Sequence, residues 1–217
     1  MFLATKHVVL EVGSAVKDVK KGDKVLLSYN FCGDCSHCTE GHPAYYGLPG
    51  RGPLDPDGQS TFSRVALVSG SSSLVRVPDS TPLELFAPLG CGLQTGAGSI
   101  FKALNVKPGS KVAIFGAGCV GLSAVMAAKI RGAAMIIAEY ALAIREEVLW
   151  RGGSVAAEMV PFLIEHHNQG KYPLERLIRY YNVKDAQQAF QDMKAGKVLK
   201  PVLVWSESGL QTRITRV

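Results

Sequence analysis

The run Lys111-Val112-Ala113-Ile114-Phe115 passes without a spacer into Gly116-Ala117-Gly118-Cys119-Val120-Gly121 and then into the alanine-rich stretch LSAVMAAKIRG. A short β-branched apolar run reads as a strand, the glycines as a tight turn, and the alanine-rich stretch as a helix. Met135 to Ala138 supplies a second apolar strand, which closes a βαβ unit of about 30 residues. In such a unit Gly116 permits the exit from the strand, Gly118 lets the backbone approach a pyrophosphate, and Gly121 lets the helix pack close to the sheet. The helix N-terminus then faces the phosphates with its free N–H groups. A ligand-free glycine turn can carry the same three glycines, so the strand and helix around them carry the reading.

A carboxylate for the ribose is expected about 20 residues further on, and Glu139 stands there. If Glu139 faces the adenosine ribose, NAD is preferred; if Tyr140 takes that place and Arg145 turns in, NADP is. Both stay open. A doubly wound sheet of about six strands, with crossovers of about 20 to 30 residues each, does not fit between Lys111 and Gly153. About half of a nucleotide fold is expected, with a bare parallel edge unless other segments cover it.

Upstream, Val8 to Ala66 alternates short β-rich runs (VVLEV, KVLLSY, FSRVALV) with turn chemistry at Lys21-Gly22-Asp23 and Pro56-Asp57-Gly58, the pattern of an all-β region with long loops. Leu74 to Val77 adds a strand that Pro78 ends. Pro82 to Leu104 shifts to small residues and helix formers, and Lys107-Pro108-Gly109 opens the next unit. Downstream, Ser154 to Gln169 and Asp185 to Ala195 read as helices, each stopped by a glycine. In the second, Ala186, Ala189, Phe190 and Met193 fall at helical spacing on one face that is expected to be buried. Pro201 to Trp205 reads as a closing strand.

Cys32, Cys35 and Cys38 stand at C-x2-C-x2-C spacing in NFCGDCSHCTEGHPAYY. Tetrahedral zinc takes four ligands, and an imidazole beside three thiolates is a common set. The candidate site is therefore Cys32, Cys35 and Cys38 with His42, or with water; His37 lies between two of the cysteines. An iron–sulfur module is a different answer, with His42-Pro43 in place of a final Cys-Pro, but no second cysteine cluster accompanies it.

The chain has 217 residues, 47% of them hydrophobic, and a net charge of +6. Lys and Arg are scattered from Lys6 to Arg216 rather than gathered in a stripe with aromatics, so no nucleic-acid partner is expected. The N-terminus lacks the basic and apolar pattern of a secretory signal. Val112 to Ala128 is apolar at close to membrane-spanning length, but turn glycines interrupt it, and no membrane association is expected. Five cysteines, three of them bunched, suit a reducing, cytoplasmic setting better than a disulfide framework.

VVLEVGSAVKDVKKGDKVLLSYNFCGDCSHCTEGHPAYY, LELFAPLGCGLQTGAG, VAIFGAGCVGLSAVMAAK and FLIEHHNQGKYPLERLIRYYNVKDAQQAFQDMKAGKVLKPVLVW, taken in this order, cover well over half of the chain. Together they resemble the zinc-dependent medium-chain alcohol dehydrogenases, most closely the branch that oxidises aryl alcohols such as benzyl alcohol. The resemblance implies an α/β protein with an all-β part: a partial GroES-like β-barrel over residues 1–92, a partial Rossmann domain over 93–150, and a return to the catalytic domain over 151–217. It implies zinc, NAD or NADP, an alcohol or aldehyde as substrate, and a homo-oligomer as an open option. Cys91, in Ala87-Pro88-Leu89-Gly90-Cys91-Gly92, matches one catalytic zinc ligand of the family. The other two, a Cys and the His of a Gly-His-Glu motif, have no counterpart, which suggests a chain shortened at the front and within the nucleotide fold. Gly116, Gly118, Cys119, Val120, Gly121, Glu139 and Thr95 match cofactor-binding positions. The fourth cysteine of the family's structural zinc lobe corresponds to Tyr46, a phenol with a pKa of about 10 and a poor zinc ligand.

Overall fold

The computed structural model describes residues 7–29, 31–45, 65–69, 74–139, 153–205 and 211–215. A five-stranded sheet is built from β1 (His7–Val12), β2 (Lys24–Leu27), β3 (Val65–Ser69), β4 (Leu74–Val77) and β9 (Gln211–Thr215), in the order β3-β9-β1-β2-β4. The β1, β2 and β4 strands pair antiparallel, whereas β9 runs parallel to both β1 and β3. The alternation of His7, Val8 and Val9 explains why β1 has one fully buried side: His7 and Val9 are each 1% exposed. His7 is thus as deeply buried as Val9. Val9, Val25, Val68 and Leu74 form a small core on that side of the sheet. Among the described residues the sheet is open, as suits a partial barrel.

The main core lies beyond β2 and β4. Two short helices, α2 (Leu83–Phe86) and α3 (Gly92–Gly98), flank a 3-10 turn at Ala87–Gly90, and a π-helical turn at Ser99–Ala103 extends α3. Leu26, Phe86, Leu89, Leu93 and Ala97 pack with Ala124 and Ala127 of α4 (Cys119–Ile130) and with Met159, Val160 and Leu163 of α5 (Ala156–Asn168). Each such buried large side chain contributes about 1.5–3 kcal/mol. Tyr172, fully buried, ties the later part of the chain to the nucleotide unit: its hydroxyl lies 2.6 Å from Ser123 Oγ, which donates to the Leu93 carbonyl at 2.5 Å.

β5 (Lys111–Phe115) and β6 (Met135–Glu139) pair parallel, with Phe115 opposite Glu139 and α4 as their crossover. Val112, Ile114 and Ile136 face the main core. The opposite face is bare among the described residues, with Phe115 71% and Ile137 59% exposed, as expected for half a doubly wound sheet. A second parallel pair, β7 (Ile178–Asn182) and β8 (Lys200–Val204), is joined through α6 (Ala186–Lys194). The face expected for α6 is only partly buried. Ala189 is enclosed, Ala186 and Met193 are half-buried, and Phe190 remains 36% exposed, because the short β7–β8 pair covers only part of the helix.

Candidate functional site

β5 ends at Phe115, and the chain turns on Gly116, whose φ of +103° lies in the region that favours glycine. The Gly116 N–H donates to the Glu139 carbonyl at 2.8 Å, fixing the turn beside the end of β6. Gly121 is packed so closely that an added Cβ would stand 1.8 Å from the Gly116 carbonyl oxygen. An added Cβ on Gly118, by contrast, would meet no heavy atom within 4 Å. Gly118 is the N-cap of α4 and offers no side-chain cap, so the first N–H groups, at Cys119, Val120 and Gly121, remain for an anion. Val120 is 44% exposed at this edge. Glu139 is exposed at the end of β6, level with the turn. Tyr140 and Arg145 lie outside the described residues.

Lys200, at the start of β8, is only 7% exposed. Its ammonium acts on Cys119: burial pushes the Cys119 thiol up, Lys200 pulls it down, and Cys91 adds to the rise. The residue that opens α4 thus feels the charge of a residue 79 positions later than the turn's last glycine. Sequence reasoning missed it, and the only local signal was one lysine inside the apolar run VLKPVLVW.

The turn Ala87–Gly90 presses on the end of β2: a Cβ on Gly90 would stand 1.8 Å from the Leu27 carbonyl oxygen. That approach puts Cys91 beside Tyr29, with 3.3 Å between Sγ and the hydroxyl. Thr95, one turn on in α3, donates its hydroxyl to the Cys91 carbonyl at 3.0 Å. Gln94 donates to Ser28 Oγ at 2.5 Å and to the Gly90 carbonyl at 3.0 Å. Tyr29, Phe31, Gln94 and Ser154 line a cleft of about 240 Å³, counted with its open mouth. Among the described residues, Cys91 belongs to no group of three or more converging metal-ligating side chains.

The lobe after β2 is a short loop and the single turn α1 (Ser36–Thr39), with Cys35 as its N-cap. Cys35 and Cys38, three residues apart, share a face, and Cys32 folds back to them through the Cys35 N–H, which donates to Cys32 Sγ at 3.3 Å. The three sulfurs lie within 4.8 Å of one another, with Cys32 and Cys38 3.9 Å apart. Desolvation would raise the Cys32 thiol, but the N–H groups of Asp34 and Cys35 and the thiols of Cys35 and Cys38 hold it below its ordinary range. Cys38 is pushed up, first by desolvation and then by its two thiol neighbours, against the pull of the Gly33 N–H. His42 is not brought into the group. The helical turn ends at Thr39, Gly41 follows at a φ of +83°, and the His42 N–H closes back onto the His37 carbonyl at 2.7 Å. Tyr46 lies outside the described residues.

Residues 7–79 match the family model of the alcohol dehydrogenase GroES-like domain. The geraniol dehydrogenase of Castellaniella defragrans is 42% identical over 147 residues, which cover 58% of this chain and 39% of that protein. A probable alcohol dehydrogenase of a Pseudomonas species is 37% identical over 171 residues, covering 68% of this chain and 53% of its own. The crystal structure of benzyl alcohol dehydrogenase from Acinetobacter calcoaceticus superposes with a TM-score of 0.75 at 25% identity, over 88% of this chain and 80% of that one. The chain belongs to the zinc-dependent medium-chain alcohol dehydrogenase family. It spans 39% and 53% of the two curated relatives named above.

Membership of the medium-chain alcohol dehydrogenase family accounts for the combination of a partial GroES-like sheet with a glycine turn in one chain. Among the described residues no helix is long and apolar enough to cross a membrane. The apolar stretch from Val112 to Ala128 is divided instead between β5, the glycine turn and α4. At the position that matches one of the family's catalytic zinc ligands, Cys91 faces a tyrosine hydroxyl, and among the described residues it belongs to no group of three or more converging metal-ligating side chains.

Proposed function

We propose that this chain acts in NAD- or NADP-linked interconversion of an alcohol, aryl or otherwise bulky, with its aldehyde or ketone. The observation that carries the reading is the uncapped start of α4 behind Gly116 to Gly121, with the Glu139 carboxylate level with it and Lys200 buried nearby. Open space around Gly118 and the free N–H groups fit a pyrophosphate, and Lys200 supplies a counter-charge. Glu139 would hold the ribose hydroxyls, and Thr95 would border the nicotinamide side. The bound nicotinamide would accept or return hydride. The names of the geraniol and benzyl alcohol relatives support a bulky substrate. The residue ranges 1–92 and 151–217 are proposed as the catalytic part and 93–150 as the nucleotide part, in a cytoplasmic protein that can form a homo-oligomer.

Zinc chemistry at Cys91 does not fit the residues described. One thiolate facing a phenol does not make the three-ligand open site that polarises an alcohol oxygen, so no step is assigned to zinc there. The contact of Tyr29 with Cys91 instead favours a second reading, a non-catalytic member of the family that retains nucleotide or metal binding.

NADH titration followed by fluorescence, zinc content and turnover of benzyl alcohol test the two together. Zinc-dependent turnover supports the enzyme reading and removes the second. Tight NADH binding without turnover leaves the non-catalytic reading, and absence of NADH binding defeats the nucleotide site in both.

A further inference from the structure

Gln94 stands in the first turn of α3 and is 2% exposed. Its amide nitrogen is used twice, donating to Ser28 Oγ at 2.5 Å and to the Gly90 carbonyl at 3.0 Å. These bonds fix which way the amide faces, since turning it over would set its oxygen against the carbonyl oxygen. Gln94 Oε1 is then left, buried, with no hydrogen-bond partner among the described residues. Ser28 Oγ accepts from Gln94, so its own proton stays available for an acceptor. Both residues line the same cleft. Phe31, Pro43 and Val155 give that cleft an apolar side, and none of its lining residues among those described is charged. Its volume of about 240 Å³, mouth included, falls below the about 300 to 1,000 Å³ of ordinary small-molecule sites. A single ring suits it, and nothing in it would neutralise a carboxylate or an ammonium.

We propose that Gln94 and Ser28 position the hydroxyl of a small uncharged aryl alcohol in this cleft without a metal, Gln94 Oε1 accepting a hydrogen bond from it and Ser28 Oγ donating one to it. A hydroxyl answers both partners because it gives and takes through one oxygen. An aldehyde oxygen only accepts, so it pairs with Ser28 and leaves Gln94 Oε1 unmatched. The pair therefore holds an alcohol more tightly than its aldehyde, and both more tightly than the bare hydrocarbon. This rests on the alcohol reading above and deepens it by naming the residues that sense the hydroxyl. The same helix carries Thr95, so the held alcohol lies against the element that would border the nicotinamide.

The test uses the full chain, stripped of metal with a chelator and free of nucleotide, so that binding is read without turnover. Benzyl alcohol, benzaldehyde and toluene are titrated by ligand-observed NMR. The expected result is saturable binding of one benzyl alcohol per chain, with benzaldehyde about tenfold weaker and toluene weaker again. Ser28→Ala and Gln94→Met should each bring benzyl alcohol down to the level of benzaldehyde. The ligand series needs only the parent chain, so it decides the matter even where Gln94→Met fails to fold. Equal affinity for benzyl alcohol and benzaldehyde overturns the proposal, as does absence of alcohol binding to the metal-free chain or unchanged affinity in folded Ser28→Ala. Zinc-dependent turnover alongside any of those three results removes the Gln94 and Ser28 site while leaving the enzyme reading in place.

Discussion

The hydroxyl of Tyr29 and the sulfur of Cys91, 62 residues apart in sequence, stand 3.3 Å from each other. The contact exists because Gly90 lets the turn before Cys91 press directly on the Leu27 carbonyl at the end of β2. Gly90→Ala would put a methyl group 1.8 Å from that oxygen and is expected to cost about 3 kcal/mol or more in urea unfolding, at or beyond the upper end of overpacking changes. Tyr29→Phe removes the partly exposed contact with Cys91 and should cost about 1 kcal/mol by the same measurement.

The two inner glycines of the nucleotide turn should separate folding from binding. Gly121→Ala forces a Cβ to 1.8 Å from the Gly116 carbonyl, so loss of several kcal/mol, on the order of 3, is expected in thermal or urea unfolding. Gly118→Ala meets no atom within 4 Å. It should leave the unfolding midpoint nearly unchanged while weakening NADH about tenfold, because the added methyl stands where the pyrophosphate approaches. Equal NADH affinity in Gly118→Ala and the parent chain would count against a nucleotide at this turn.

His7 gives the stability a defined pH dependence. Burial lowers it from 6.5 to about 4. Below pH 6.5 the unfolded chain takes up a proton that the folded chain refuses until about pH 4, so the unfolded state binds more protons in that window. Stability is therefore full above pH 6.5 and declines as the pH falls, by about 3 kcal/mol across the window. Urea midpoints measured between these two pH values should show the slope, and His7→Leu should flatten it.

Tyr172→Phe isolates the tie between the segment after α5 and the nucleotide unit. The ring stays, but Ser123 Oγ loses the tyrosine hydroxyl in a fully buried place and keeps only its bond to the Leu93 carbonyl. A loss of about 1–2 kcal/mol in unfolding free energy is expected, and Ser123→Ala combined with it should add much less than its separate effect.

Much of this was legible in residue order. The strand, glycine turn and helix from Lys111 to Ile130 appear where the apolar run, the glycines and the alanines put them, and β6 extends one residue past its expected end, to Glu139 itself. Periodicity also located α5 and α6, because helical spacing is a local property. It overstated the burial of Phe190, since spacing marks a face without saying how much of it a neighbour covers. β7 and β9 were not anticipated. Ile178–Asn182 carries mixed polarity and becomes a strand only by pairing with β8, and β9 exists through its two parallel neighbours.

The sequence by itself therefore determined the family, the glycine turn, and the pair Cys35 and Cys38 on one turn, all of which depend on neighbours within a few residues. Only the tertiary structure decided that Tyr29 meets Cys91, that Lys200 is buried near the start of α4, and that His42 stays out of the cysteine group. The first two are contacts between distant parts of the chain, set by close approach of backbones at glycine and by which strand edge is covered. The third is a matter of backbone direction: spacing placed an imidazole within reach of three sulfurs, and the turn at Gly41 carried it away.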